Sequence, residues 1–179
     1  RLKHDTPDVF CLHDGGMESI DLPGFLIPSD HAPAQGILDV PEIPAEQVVA
    51  HVFTSGSTGT ALTHLKTWGN LVINARAESE RLGARGRALV GTVPPQHMYG
   101  FESTVLICLH GGSACWSGRP FYPADIGAAL EAVPPPRALV TTPFHLRALL
   151  DAGLPLPPVD FLLSATAPLS EDLATCAEA

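Results

Sequence analysis

The residues best suited by type and spacing to do chemistry lie in one short stretch, Phe53-Thr-Ser-Gly-Ser-Thr-Gly-Thr60. Gly56 and Gly59, three apart, permit backbone torsions that other residues resist, so successive N–H groups can turn inward around an anion. Thr54, Ser55, Ser57 and Thr58 add hydroxyl donors. The chemistry would be that of a phosphate cradle; a flexible polar connector is the competing reading, and composition leaves both open. It is not a Walker A loop, which needs four residues between its glycines and a Lys-Ser/Thr directly after the second, where this chain has Thr60-Ala61. Nor does Ser55-Gly-Ser-Thr-Gly59 have the spacing of a Gly-x-Ser-x-Gly nucleophile elbow. Lys66 follows, either as a movable point charge for a β- or γ-phosphate or as a solvated lysine near a helix start. His97, in a loop after Pro94-Pro95, reads by itself as a backbone-holding residue. His51, His64, His110 and His145 are isolated and lack metal-ligand spacing.

These residues need elements to position them. Residues 1–45 carry scattered Pro and Gly with little periodicity, which predicts an irregular segment packing on a core. From Val48 the run to Phe53 reads as a buried strand entering the loop, and Thr67 as the cap of a helix through Leu82, ended by Gly83. Further strands are expected at 87–93, 113–116, 138–142 and 161–165. Helices are expected at 102–110, 124–132 and 144–152, and from a cap at Ser170 to the chain end. Repeated strand-then-helix units with near-continuous apolar strands predict an α/β fold with a mostly parallel sheet flanked by helices, over residues 46–179.

Composition narrows the function classes. The 179 residues suffice for one ordinary domain or part of a larger one. With 45% hydrophobic and 16% charged residues the chain should fold. Ten Lys+Arg against nineteen Asp+Glu, a net charge of −9, opposes a general attraction to nucleic acid or anionic membrane, so a phosphate ligand needs a local site. Cys11, Cys108, Cys115 and Cys176 form no CxxC pair and read as free, mostly buried thiols. No apolar run approaches the roughly 20 residues that cross a bilayer and no basic-then-apolar leader opens the chain, so a cytoplasmic location is expected. Arg1 in place of Met, and an end inside a helical pattern at Cys176–Ala179, make a piece of a longer protein the expectation.

With its flanks, the loop resembles a known family. Thr54, Ser55, Gly56, Ser57, Thr58 and Gly59, then Lys66-Thr-Trp-Gly-Asn70, resemble the signature loop of the adenylate-forming (ANL) superfamily: acyl- and aryl-CoA synthetases, peptide-synthetase adenylation domains and luciferases. Two more segments match in order. Pro94-Pro-Gln-His-Met-Tyr-Gly-Phe101 resembles the His-x-x-Gly segment, which implies that His97, Tyr99, Gly100 and Phe101 line an acyl-substrate pocket. Leu163-Ser-Ala-Thr-Ala-Pro-Leu169 resembles the small-residue loop beside adenine and acyl group, which implies that role for Ser164, Ala165, Thr166, Ala167 and Pro168. The pairing of Thr-Ser-Gly-Ser-Thr-Gly with Lys-Thr-Trp-Gly is similar to the AMP-ligase branch of aryl-polyene and xanthomonadin-type pathways.

The resemblance implies ATP-dependent activation of a fatty or aryl acid to an acyl-adenylate, then transfer to CoA or an acyl carrier protein; a non-catalytic nucleotide-binding relative is the alternative. It implies ATP and Mg²⁺, with the metal ligands, the ribose-binding aspartate and the catalytic lysine of a C-terminal domain all beyond residue 179. It therefore implies that this piece by itself does not turn over. One departure stands out: the family carries Pro-Lys where this chain has Ala61-Leu62, which leaves Lys66 as the candidate phosphate contact.

Overall fold

A computed structural model describes residues 11–13, 23–26, 41–54 and 62–178. The chain divides into two compact units, residues 1–41 and 42–179. In the first, β1 (Cys11–His13) and β2 (Gly24–Leu26) pair in parallel, Cys11 opposite Gly24.

The second unit is built on four parallel strands: β5 (Ala88–Gly91), β6 (Ala114–Cys115), β7 (Arg137–Thr141) and β8 (Phe161–Ser164), in spatial order β6-β5-β7-β8. The apolar runs that predicted β5 and β7 are explained by burial on both faces. Ala88, Val90 and Leu139 pack on one side with Ile126, Ala129, Leu130 and Leu149, while Leu89, Ala138 and Val140 pack on the other with Ala84 and Ile107. Since successive strand residues point to opposite faces, a sheet covered on both sides needs apolar residues at every position rather than at alternate ones.

Helix α1 (Trp68–Leu82) buries Leu71, Ala75 and Ser79 and ends on Gly83, whose left-handed φ of 60° suits a glycine. Helix α2 is one continuous segment made of a short α-turn (Met98–Gly100), a π-helical stretch (Phe101–Leu106) and a final α-turn (Ile107–Gly111). Sequence placed its start at Glu102; it begins four residues earlier, and the π-helical stretch is where Thr104 Oγ1 donates to the Gly100 carbonyl. Helix α3 (Pro123–Ala132) and α4 (Pro143–Asp151) both carry proline at their start. Helix α5 (Glu171–Glu178) follows Ser170, whose hydroxyl accepts from Leu173 N at 3.3 Å.

Two expectations are corrected. The run from Val48 is not a buried strand leading through a loop to a helix: β3 (Val48–Thr54) forms an antiparallel hairpin with β4 (Leu62–Thr67), apart from the parallel sheet. Covered on fewer sides, the hairpin leaves Val48 41% and Leu65 60% exposed. Nor are the thiols mostly buried among the three whose burial is described. Cys108 is half-buried, but Cys115 lies on a two-residue edge strand and Cys176 on a helix that buries only Leu173, so both are exposed. Among the described residues no helix is long and apolar enough to cross a membrane.

Candidate functional site

The hairpin and the start of α2 enclose a cavity of about 870 Å³. Ala50, His51, Val52, His64 and Lys66 line it from the hairpin, and Pro95, Gln96, His97, Met98 and Phe101 from the other side. Cross-strand pairing explains the grouping. His64 and Lys66 are two apart on β4, hence on one face of it, and pair with Val52 and Ala50. Among the described residues the lining holds three imidazoles and an ammonium group and no carboxylate, in a chain with nearly twice as many acids as bases. Such a wall favours an anion.

His97 is the N-cap of α2, and its Nδ1 accepts from Tyr99 N at 3.3 Å. With Nδ1 accepting, the neutral ring carries its proton on Nε2 and offers a donor there. Gly100 is required by packing: a Cβ there would collide with the Pro94 carbonyl oxygen and lie 2.9 Å from the Val93 carbonyl oxygen. The missing side chain lets α2 start tight against the turn that carries Pro95, Gln96 and His97.

Tyr99 does not line the cavity. Its ring packs on the core, and its hydroxyl lies 3.0 Å from the Thr141 carbonyl oxygen and 2.9 Å from that of Leu163, at the ends of β7 and β8. Burial, then the charge of Glu78, pushes its pKa well above the usual phenol range, so it stays a neutral donor. Through Tyr99 the His97 turn is tied to the root of the loop at Ser164, Ala165, Thr166, Ala167 and Pro168. In that loop Thr166 has a left-handed φ of 80°, an outlier for a β-branched residue. The Ser164 hydroxyl is buried and has no hydrogen-bond partner among the described residues.

Next to the cavity, burial raises the pKa of Glu102, an effect that the positive charge of Lys66 opposes and the negative charge of Glu78 reinforces. Ser103 donates to Glu78 Oε1 at 2.7 Å. Of the other predicted residues, Thr54 ends β3, and Ser55, Gly56, Ser57, Thr58 and Gly59 lie outside the described residues. The structure thus brings Lys66, His97 and Phe101 together, and adds His51 and His64, which sequence reasoning had left isolated. The signal that could have found them is the spacing of His64 and Lys66, which share a face only if residues 62–67 form a strand. Among the described residues no three His, Cys, Asp or Glu side chains converge as metal ligands.

Comparison with solved structures defines the class of fold. O-succinylbenzoate CoA synthetase from Bacillus subtilis, in complex with AMP, superposes over 99% of this chain and 38% of its own, with a TM-score of 0.75 at 17% identity. The anthranilate CoA ligase AuaEII, in complex with anthranoyl-AMP, covers 83% of this chain and 33% of its own, with a TM-score of 0.67 at 15% identity. The fold is that of the N-terminal part of adenylate-forming enzymes. A relative in sequence, the 4-coumarate–CoA ligase of Rhodobacter capsulatus, is 33% identical over 123 residues, which is 67% of this chain and 31% of the ligase. The family described as AMP-binding enzyme matches residues 9–179, and the chain belongs to that family.

Proposed function

We propose that this chain is the nucleotide- and acid-binding part of an enzyme that activates a carboxylic acid with ATP, releasing pyrophosphate and forming an acyl-adenylate. The acyl group then passes to a thiol, of CoA or of a carrier protein. The observation that carries the reading is the cavity wall of Lys66, His51, His64 and His97, free of carboxylates, in a member of the AMP-binding family. The reaction brings two anions together, a carboxylate and a triphosphate, and the first demand on the protein is to offset their repulsion and fix them in line. Lys66 supplies a full positive charge on a flexible stem, in the place of the lysine missing at Leu62. His97, held by Tyr99 N, offers its Nε2 donor to the acid or the α-phosphate and moves no proton. The loop Thr54–Gly59 grips phosphate oxygens with backbone N–H groups and hydroxyls, and the loop 164–168 borders the adenine. Glu102 lies within electrostatic reach of Lys66 but does not line the cavity.

The relatives named for 4-coumarate and anthranilate support an aryl acid as substrate, and the motif pairing adds polyene acids to the class. The chain spans 31% of the length of the coumarate ligase, so turnover is assigned to the longer protein; by itself the chain gives only background exchange. The test is acid-dependent ATP–pyrophosphate exchange by the full-length protein across fatty, aryl and polyene acids. Exchange that needs an acid and is lost on replacing Gly56 with a bulky residue supports the proposal. ATP binding without exchange for any acid would identify a non-catalytic nucleotide-binding relative instead.

A further inference from the structure

Two arginines that have no partner among the described residues share one cavity. Against a total of 19 Asp+Glu, Arg76 on α1 and Arg85 just after it make no hydrogen bond or ion pair among the described residues. Both line a second cavity, of about 560 Å³, together with Ser79, Glu80, Gly83, His110 and Gly111. It shares no lining residue with the Lys66 cavity.

The ordinary explanation for cations here would be the carbonyl ends of α1 and α2, which attract positive charge. Those ends are already served. Arg87 Nη1 donates to the Gly83 carbonyl at 2.6 Å, Gly83 N and Ala84 N bond back to Glu80 and Ser79, and the Ser79 hydroxyl donates to the Gly111 carbonyl at 3.2 Å. Glu80 is the one carboxylate in the lining, and it lies outside ion-pair distance of both arginines. His110 is fixed edge-on to Trp68, with ring centroids 5.0 Å apart. Burial and the charge of Arg76 lower its pKa, so the cavity holds two full positive charges beside a neutral imidazole.

We propose that Arg76, Arg85 and His110 form a binding site for the phosphate group of an anionic ligand. A guanidinium offers paired N–H donors matching phosphate oxygens, and two of them without acid partners hold charge that a phosphate would neutralise. The cavity is larger than a single phosphate needs, so the group can arrive as a free anion or as a monoester on a larger molecule.

Calorimetric titration of the 179-residue chain at low salt with pyrophosphate, CoA and dephospho-CoA tests the site and separates the two sources. Saturable binding is expected, weakening with added salt. Replacing both arginines, R76A/R85A, should reduce affinity by roughly tenfold or more, whereas R147A, an exposed arginine outside both cavities, should leave it unchanged, and K66A reports separately on the Lys66 cavity. Because both arginines are exposed, the double variant should melt with the native chain, which the same preparation can verify. A preference for CoA over dephospho-CoA assigns the site to a monoester; pyrophosphate binding without that preference assigns it to a free anion. Equal affinity in R76A/R85A and native chain, or loss of binding in K66A but not in R76A/R85A, would overturn the proposal. So would the absence of saturable binding up to about 10 mM of all three. The K66A arm bears on the Lys66 cavity and the double variant on this one, so the two readings fail separately.

Discussion

Replacing Gly100 with Ala sets two effects of opposite sign against each other. Gly100 is helical, with φ −64° and ψ −39°, and at such a position alanine is favoured over glycine by about 0.5–1 kcal/mol. Propensity therefore predicts a stabilised protein. Packing predicts the reverse, because the added Cβ would run into the carbonyl oxygens of Pro94 and Val93. These are backbone atoms at the end of β5 and cannot move aside as the tip of a flexible side chain would. Overpacking of this kind costs roughly 1–3 kcal/mol. The balance is a net loss of about 0.5–2 kcal/mol, or roughly 2–8 °C in Tm for a unit of this size. Relief would come from shifting the turn at Pro94–His97, so His97 should lose its place as N-cap. Thermal unfolding of Gly100→Ala beside the native chain checks the first part. A nitrogen-15 shift of the His97 ring, by NMR, checks the second. An alanine variant that melts at or above the native temperature would show that the contact with Pro94 does not constrain this turn.

Other consequences can be measured on the same chain. Thr166→Gly should stabilise by about 0.5–1 kcal/mol in urea unfolding, since it relieves roughly 1–2 kcal/mol of left-handed strain at φ 80° and returns part of it as chain entropy; a destabilised variant would mean the threonine makes a compensating contact. Iodoacetamide labelling at pH 8, read peptide by peptide, should modify the exposed Cys115 and Cys176 well before Cys108, whose thiol burial pushes up to about 12; equal rates would contradict that burial. Burial lowers the pKa of His145 from 6.5, so below that pH the unfolded chain binds more protons than the native one. Stability is then fully present above pH 6.5 and falls as the pH drops toward the lowered folded value. His145→Gln should flatten that slope in denaturant titrations at pH 7 and 5.5, and an unchanged slope would remove His145 from the account.

The parallel sheet was legible because its central strands β5 and β7 are covered on both sides: runs such as Ala138-Leu-Val140 are apolar at every position, a pattern that needs no partner to be recognised. The hairpin was not. Leu62-Thr-His-Leu-Lys-Thr67 carries little apolar character because one side of it is exposed, and it reads as a linker between a glycine loop and a helix cap. Missing β4 meant missing the register that sets Val52 against His64 and Ala50 against Lys66, and with it the grouping of His51, His64 and Lys66. Tyr99 was out of reach for another reason. Its acceptors lie 42 and 64 residues away, and local sequence carries no signal for a hydrogen bond that depends on how three strands come together.

That bond ties together segments far apart in sequence. Parallel strands end at the same edge of a sheet, and ligands of open α/β folds bind beyond that edge. Strand β5 delivers the turn at Pro94–His97 there, β7 delivers Thr141, and β8 delivers Ser164 and the loop to Pro168. Thr92 and Thr141 join β5 to β7 at this edge through their hydroxyls, 3.0 Å apart. Tyr99 then fastens the His97 turn to both β7 and β8, so a displacement of one loop root is transmitted to the other through a few hydrogen bonds. The cationic wall comes from outside this frame, on the hairpin. In the proposed reaction the sheet edge fixes the acid and the adenine relative to each other, and the hairpin, whose strand β4 runs directly into α1 at Thr67 and Trp68, brings phosphate-binding charge to them.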